Sequence, residues 1–213
     1  MYNLFSKNIS IPNPEDCLEG RSEPIILNGT HYVTGKSIIP PYPENTEQII
    51  MGMGCFWGAE RIFWDIPGVY TTLVGYSGGI TPNPNYEEVC SGMTGHSEVV
   101  KVIFFPDLCD LETLLVQFWE NHDPTQFMRQ GNDIGSQYRS AIYTTINSQI
   151  KIVSDSLEHY QNRLHISGFN TIKTEISEAK NFYFAEEYHQ QYLAKIPNGY
   201  CNHGFCQATY NDK

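Results

Sequence analysis

Residues 54–58 read Gly-Cys-Phe-Trp-Gly, where a short apolar run, Gln48-Ile49-Ile50-Met51, gives way to a helical pattern. A cysteine at that junction meets the unpaired N–H groups and the positive end of a helix. Both favour thiolate over thiol, whereas a free cysteine titrates near about 8.5. The chemistry expected of Cys55 is therefore nucleophilic, with Phe56 and Trp57 supplying an apolar wall beside the sulfur. A loop over 77–95 holds Tyr86 and runs into Gly95-His96-Ser97-Glu98; a second, over 123–137, holds Asp133 and leads to Tyr138. Phe56, Trp57, Tyr86 and Tyr138 together would cage one carboxyl group. In such surroundings Glu98 would keep its proton near neutrality and act as an acid. The expected site is a thiolate, a neutral acid and a pocket for a methyl-sized apolar group.

Each residue also has an ordinary role that competes. Trp57, Phe63 and Trp64 fit a core, and Glu98 fits a solvated strand end. His96 is either a base for the cysteine or a satisfied structural histidine. Asp133 follows Gly131-Asn132, a setting that equally suits an Asx turn. Cys17, Cys90 and Cys109 read as small packed or incidental thiols. The tail Gly199-Tyr200-Cys201-Asn202-His203-Gly204-Phe205-Cys206 offers three soft metal ligands but no fourth. Resolution of an oxidised Cys55 by a tail cysteine fits it better. A hydrolase elbow is disfavoured because Met53 and Trp57 stand where glycines belong, and Gly58 replaces the second cysteine of a C-x-x-C pair.

These residues need a scaffold. Strand 47–52 precedes a helix over 56–66, whose apolar face is Ala59, Ile62, Phe63 and Ile66. Strands over 69–76 and 98–105 follow, then a helix carrying Leu111, Leu114, Leu115 and Phe118 that Pro124 stops. A strand over 139–143 and a long helix ending near Gly168 come next. Ile172, Thr174 and Ile176 form a half-exposed strand, residues 181–195 read as helical, and the tail from 197 is turn-like. The order β-α-β-β-α-β predicts an α+β fold, a ferredoxin-like plait with helices packed on a mixed sheet. Residues 1–46, rich in proline, read as an irregular arm, 47–196 as the catalytic domain and 197–213 as a tail, one domain overall.

The chain has 213 residues, with 24 acidic against 13 basic side chains and a net charge of −11. That balance disfavours nucleic acid or an anionic membrane face. No apolar run reaches the roughly 18 residues a membrane span requires, and the N-terminus lacks a leader's basic start and apolar stretch. Six cysteines are too few for a disulfide scaffold. A cytoplasmic monomer without cofactor or metal is expected.

Several ordered motifs resemble the A-type peptide methionine sulfoxide reductases. They are Gly54-Cys55-Phe56-Trp57-Gly58, Gly75-Tyr76-Ser77-Gly78-Gly79, Pro82-Asn83-Pro84-Asn85-Tyr86, Gly95-His96-Ser97-Glu98, residues 118–125, Gln130-Gly131-Asn132-Asp133, Tyr138-Arg139-Ser140 and His189-Gln190-Gln191-Tyr192-Leu193. The resemblance implies that Cys55 attacks the sulfur of the S epimer of methionine sulfoxide, free or in proteins, while Glu98 protonates its oxygen. It implies that Tyr86 and Tyr138 hold the oxygen, Phe56 and Trp57 enclose the methyl, and Asp133 and Tyr192 shape the site. Cys55 would be left as a sulfenic acid, Cys201 would resolve it to a disulfide, and thioredoxin would reduce that bond. Cys206 stands as a second recycling thiol across a spacer, Asn202 to Phe205, shorter than is usual in the family.

Overall fold

From Ile49 to Met53 every side chain is buried, as a strand flanked on both faces and both edges requires. This segment is β1 (Glu47–Met53) of a computed structural model that describes residues 10–204 and 208–211. It is followed by α1 (Phe56–Phe63), β2 (Val69–Ser77), α2 (Tyr86–Cys90), β3 (Ser97–Phe104) and α3 (Leu111–Glu120). Then come the two-residue strands β4 (Arg129–Gln130) and β5 (Asp133–Ile134), β6 (Ser140–Thr144) and α4 (Asn147–Ile166). The last elements are β7 (Glu175–Glu178), β8 (Phe182–Phe184) and α5 (Tyr192–Lys195).

The main sheet has the order β7-β6-β1-β3-β2-β8. Within its central four strands, β6-β1-β3-β2, each adjacent pair is antiparallel, the arrangement of a ferredoxin-like plait. β7 joins β6 in parallel and makes the sheet mixed. The face bearing Met51, Met53, Val100, Val102 and Ile142 packs under α1, α3 and α4 through Ala59, Phe63, Leu114, Phe118, Val153 and Tyr160. Asp110 caps α3 by accepting the Thr113 N–H at 2.8 Å. On the opposite face Leu27 and Ile38, from the irregular segment before β1, cover Leu73 and Ile103.

The loop expected over 123–137 holds the short β4–β5 pair, the strand expected at 172–176 lies at Glu175–Glu178, and two further segments differ from the sequence expectation. Within loop 77–95 the chain forms α2, started by a capping box between Asn85 and Glu88. Residues 181–195 are not one helix. Phe182 to Phe184 pair with the edge of β2, Gln191 takes a left-handed φ of 49°, and only Tyr192–Lys195 is helical. The reason is that side-chain amides in this segment bind other elements. Gln190 Oε1 accepts the Val74 N–H at 2.9 Å, and its Nε2 donates to the carbonyls of Val74 and Ala185, each at 2.9 Å. One buried side chain thus continues the hydrogen bonding of an edge strand. Gln190→Leu keeps the volume and strips the partner from the Val74 N–H and the Ala185 carbonyl. A loss of about 2–4 kcal/mol is expected in urea unfolding, because each orphaned group costs about 1–3 kcal/mol.

Candidate active site

Gly54, at φ 91°, turns the chain out of β1, and a Cβ there would collide with Gln130. The turn leaves Cys55 as the N-cap residue of α1 and 6% exposed. The backbone N–H groups of Trp57 and Gly58 act on its sulfur and pull the thiol pKa down. They do not prevail. Burial, followed by the charge of Glu98, pushes the thiol well above its ordinary range. The expectation of a resting thiolate is therefore corrected. The helix start gives the sulfur two donors, but the surroundings that exclude water cost the anion more.

Glu98 lies on β3 opposite Tyr76, 1% exposed, so it is no solvated strand end. Its Oε2 accepts the Phe56 N–H at 3.1 Å, which brings the carboxyl to the same first turn of α1 that holds the sulfur. Burial raises its pKa to about 8; the Phe56 N–H opposes this and the charge of Asp133 adds to it. Tyr86, at the start of α2, and Tyr138, at the end of a 3₁₀ turn over Ser136–Tyr138, both feel the Glu98 charge. Burial first, and Glu98 second, push both phenols well up, so each stays an O–H donor. Cys90, read from the sequence as incidental, acts on both tyrosines. His96 is not a base for Cys55. Its Nδ1 accepts the Gly79 N–H at 3.0 Å and its Nε2 donates to the Thr81 carbonyl at 2.8 Å.

Trp57 stacks on Tyr192 with ring centroids 3.9 Å apart, and its Nε1 donates to His189 Nδ1 at 2.9 Å. His189 is the hub that the sequence reading left without a role. Its ring packs against Phe56, Trp57, Tyr86 and Tyr188, and burial lowers its pKa to about 4. Glu186 accepts the Tyr86 backbone N–H and the Tyr76 hydroxyl, each at 2.9 Å. Behind them Glu60, fully buried on α1, accepts from Gln191 N and Nε2, both at 2.7 Å, and from Thr72 Oγ1 at 3.1 Å. The clustering of aromatics with Glu186 and His189 in one stretch was the available signal for this support.

The tail crosses the same first turn. Asp133 accepts the Tyr200 hydroxyl at 3.2 Å and Asn202 Nδ2 at 2.8 Å. Arg61 Nη2 donates to Cys201 Sγ at 3.1 Å, and His203 Nε2 donates to the Met53 carbonyl at 2.7 Å. Gly58 permits this approach: a Cβ there would collide with His203 Nδ1 and stand 2.9 Å from Cys201 Sγ. Cys55 and Cys201 are both free thiols. Cys206 lies outside the described residues. The structure thus gathers Cys55, Glu98, Phe56, Trp57, Tyr86, Tyr138 and Tyr192 around one helix start, with Asp133 and Cys201 joined to it through the tail.

The family model of peptide methionine sulfoxide reductase matches residues 47–211. A peptide methionine sulfoxide reductase of Caulobacter vibrioides is 57% identical over 198 residues, 93% of this chain and 91% of that protein. The mitochondrial peptide methionine sulfoxide reductase of Bos taurus is 56% identical over 194 residues, 91% of this chain and 83% of that protein. Among solved structures, methionine sulfoxide reductase A of Corynebacterium diphtheriae superposes with a TM-score of 0.84 at 44% identity, covering 90% of this chain and 93% of that one.

Two expected outcomes follow from the geometry. A carboxyl whose folded pKa is raised from 4.5 to about 8 binds a proton that the unfolded chain has already lost between those values. Glu98 therefore costs stability as pH rises through that window, by up to about 1.4 kcal/mol per unit. Glu98→Gln removes the cost, so the Tm of the variant relative to wild type should climb from pH 5 to pH 8; a constant difference would contradict the buried acid. Gly58→Ala keeps the N–H at Cys55 but displaces the tail. Single-turnover chemistry should survive it, while disulfide formation measured by mass spectrometry falls at least tenfold.

Proposed function

The chain belongs to the peptide methionine sulfoxide reductase family, and on that premise we propose that it reduces the S epimer of methionine sulfoxide through Cys55 and Glu98. The observation that carries this reading is that a thiol and a protonated carboxyl share the first turn of α1, where the Phe56 N–H reaches Glu98. Sulfoxide sulfur is a poor electrophile until its oxygen accepts a proton, so the reaction needs Glu98 protonated at the outset. Glu98 gives its proton to the oxygen, Cys55 Sγ bonds to the substrate sulfur, and the thiol proton passes to Glu98. The sulfur–oxygen bond of the substrate and the new sulfur–sulfur bond then break as the hydroxyl moves to Cys55 Sγ. Methionine leaves with its sulfur reduced, and Cys55 leaves as a sulfenic acid, oxidised by the same two electrons.

Tyr86 and Tyr138 keep their protons and donate to the sulfoxide oxygen, while Phe56 and Trp57 enclose the methyl group. With oxygen and methyl both fixed, one configuration at sulfur presents its face to Cys55. Trp57 is held for that task by Tyr192 and His189. Cys201 then attacks the sulfenic acid; water departs and a disulfide remains. A dithiol reductant must open it, and thioredoxin is the reductant proposed. Cys206 is a candidate second thiol for that transfer. The cytoplasm, a reducing compartment, suits an enzyme built around reactive thiols. Among the described residues no helix is long and apolar enough to cross a membrane.

Chiral chromatography of mixed methionine sulfoxide epimers, incubated with reduced protein and dithiothreitol, tests the reaction. Loss of the S epimer alone is expected, and loss of neither would overturn it. Cys55→Ser should abolish turnover, lowering the rate by at least a thousandfold. Cys201→Ser should release one methionine per enzyme and then stall with thioredoxin; an unchanged thioredoxin-driven rate would refute the resolving role.

A further inference from the structure

Among the buried polar atoms the reaction above does not use, His203 Nδ1 stands out. It is shielded from solvent and has no hydrogen-bond partner. Its tautomer follows from its other nitrogen. A carbonyl oxygen can only accept, so Nε2 carries the hydrogen that reaches Met53, and Nδ1 of the neutral ring carries the lone pair. The Met53 contact is 2.7 Å and pins the ring against the turn between β1 and α1. The same point above Gly58 that lies 2.9 Å from Cys201 Sγ is crowded by Nδ1, so lone pair and thiol face one small volume. Arg61 Nη2 also donates to that sulfur at 3.1 Å.

We propose that His203 is the general base for Cys201, taking the thiol proton through Nδ1 as Cys201 attacks the oxidised Cys55. The proposal rests on the Cys55 and Cys201 roles given above and adds a residue to the second half of the cycle. In balance, the S–H bond of Cys201 breaks and its proton moves to Nδ1. A bond forms between the two sulfurs, the S–O bond of the Cys55 sulfenic acid breaks, and the proton on the imidazolium leaves with the hydroxide as water. Cys201 sulfur is oxidised and Cys55 sulfur reduced by one unit each, with no outside reagent. Arg61 faces the sulfur while it carries charge.

Burial, with the Arg61 charge adding, lowers the His203 pKa to about 4 against the raising effect of Met53, so the lone pair is present at every working pH. Exclusion of water also strengthens the attraction between imidazolium and thiolate once the proton has moved. The titratable groups that face the ring are Arg61 from α1, Cys201 on its own segment, and His122 beyond α3, itself neutral with its pKa lowered to about 3. Among the described residues the one charge acting on His203 is that of Arg61.

The test uses full-length reduced protein mixed with limiting methionine sulfoxide and quenched over time. Methionine is read by chromatography and the Cys55–Cys201 disulfide by mass spectrometry, with dimedone trapping any waiting sulfenic acid. His203→Gln retains a donor for the Met53 carbonyl and lacks the lone-pair nitrogen. It should still release methionine, form the disulfide about 10²-fold or more slowly, and accumulate the dimedone adduct. Its disulfide rate should climb with pH more steeply than that of wild type. Added imidazole should restore the rate in His203→Gly. A wild-type disulfide rate in His203→Gln would overturn the proposal. So would a slow rate that neither pH nor imidazole restores, which would make His203 a peg for the tail and nothing more. Failure of wild type to release methionine would overturn the Cys55 reaction, and the proposal with it.

Discussion

Cys55 caps the helix whose first residue, Phe56, donates its N–H to the carboxyl of Glu98 on β3, and both side chains are buried. Two carboxylate- or thiolate-sized anions so close together, in surroundings of low polarity, repel each other strongly. Burial raises both pKa values, and the charge of Glu98 raises that of Cys55 further. The resting state is thus a pair of proton carriers. The N–H groups of Phe56, Trp57 and Gly58 are in place for whichever partner ionises. A substrate oxygen that takes a proton is what lets one negative charge appear at the sulfur without a second beside it.

The scaffold holds this pair by using polar side chains where a simpler fold would use more backbone pairing. Gln190 completes the edge of β2, Glu60 fixes Gln191, and Glu186 ties Tyr86 to Tyr76. Arg139, buried behind the pocket, donates to the carbonyls of Gly95 and Ser136 and to Glu175 at 2.7 Å. It thereby joins the loop before Glu98 to the turn that carries Tyr138. Buried groups of this kind are costly unless every partner is present. Their completeness keeps the aromatic walls around Cys55 in one arrangement.

The plait was legible because its strands and helices announce themselves locally. Ile49 to Met51, Val99 to Phe104 and the Leu111-Leu114-Leu115-Phe118 stripe each carry their period in the chain itself. The placement of Cys55 at a helix start was legible because Gly52 and Gly54 mark the turn and an apolar period marks the helix after it, whereas a solvated strand end remained an equal reading of Glu98 until its burial was seen. The segment 181–195 was not, since its aromatic pattern matches a helix until Gln190 and Gln191 are seen to spend their amides on β2 and α1. The protonation of Cys55 was also hidden. The helix start is a local fact, whereas the burial and the Glu98 charge that override it arise only in the folded chain. Arg61 and His203 escaped notice for the same reason, since only the folded tail brings them to Cys201.

Asp133 raises the pKa of Cys55 and of Glu98, and it is also the carboxylate that Tyr200 and Asn202 grip. Docking of the tail and binding of protons in the pocket are therefore two ligation events that meet on one charge. Thermodynamic reciprocity requires that the factor by which a seated tail changes the affinity of Glu98 for its proton equal the factor by which that proton changes the seating of the tail. A change that drew the tail off Asp133 would therefore alter the proton affinity of Glu98, with no contact between the two.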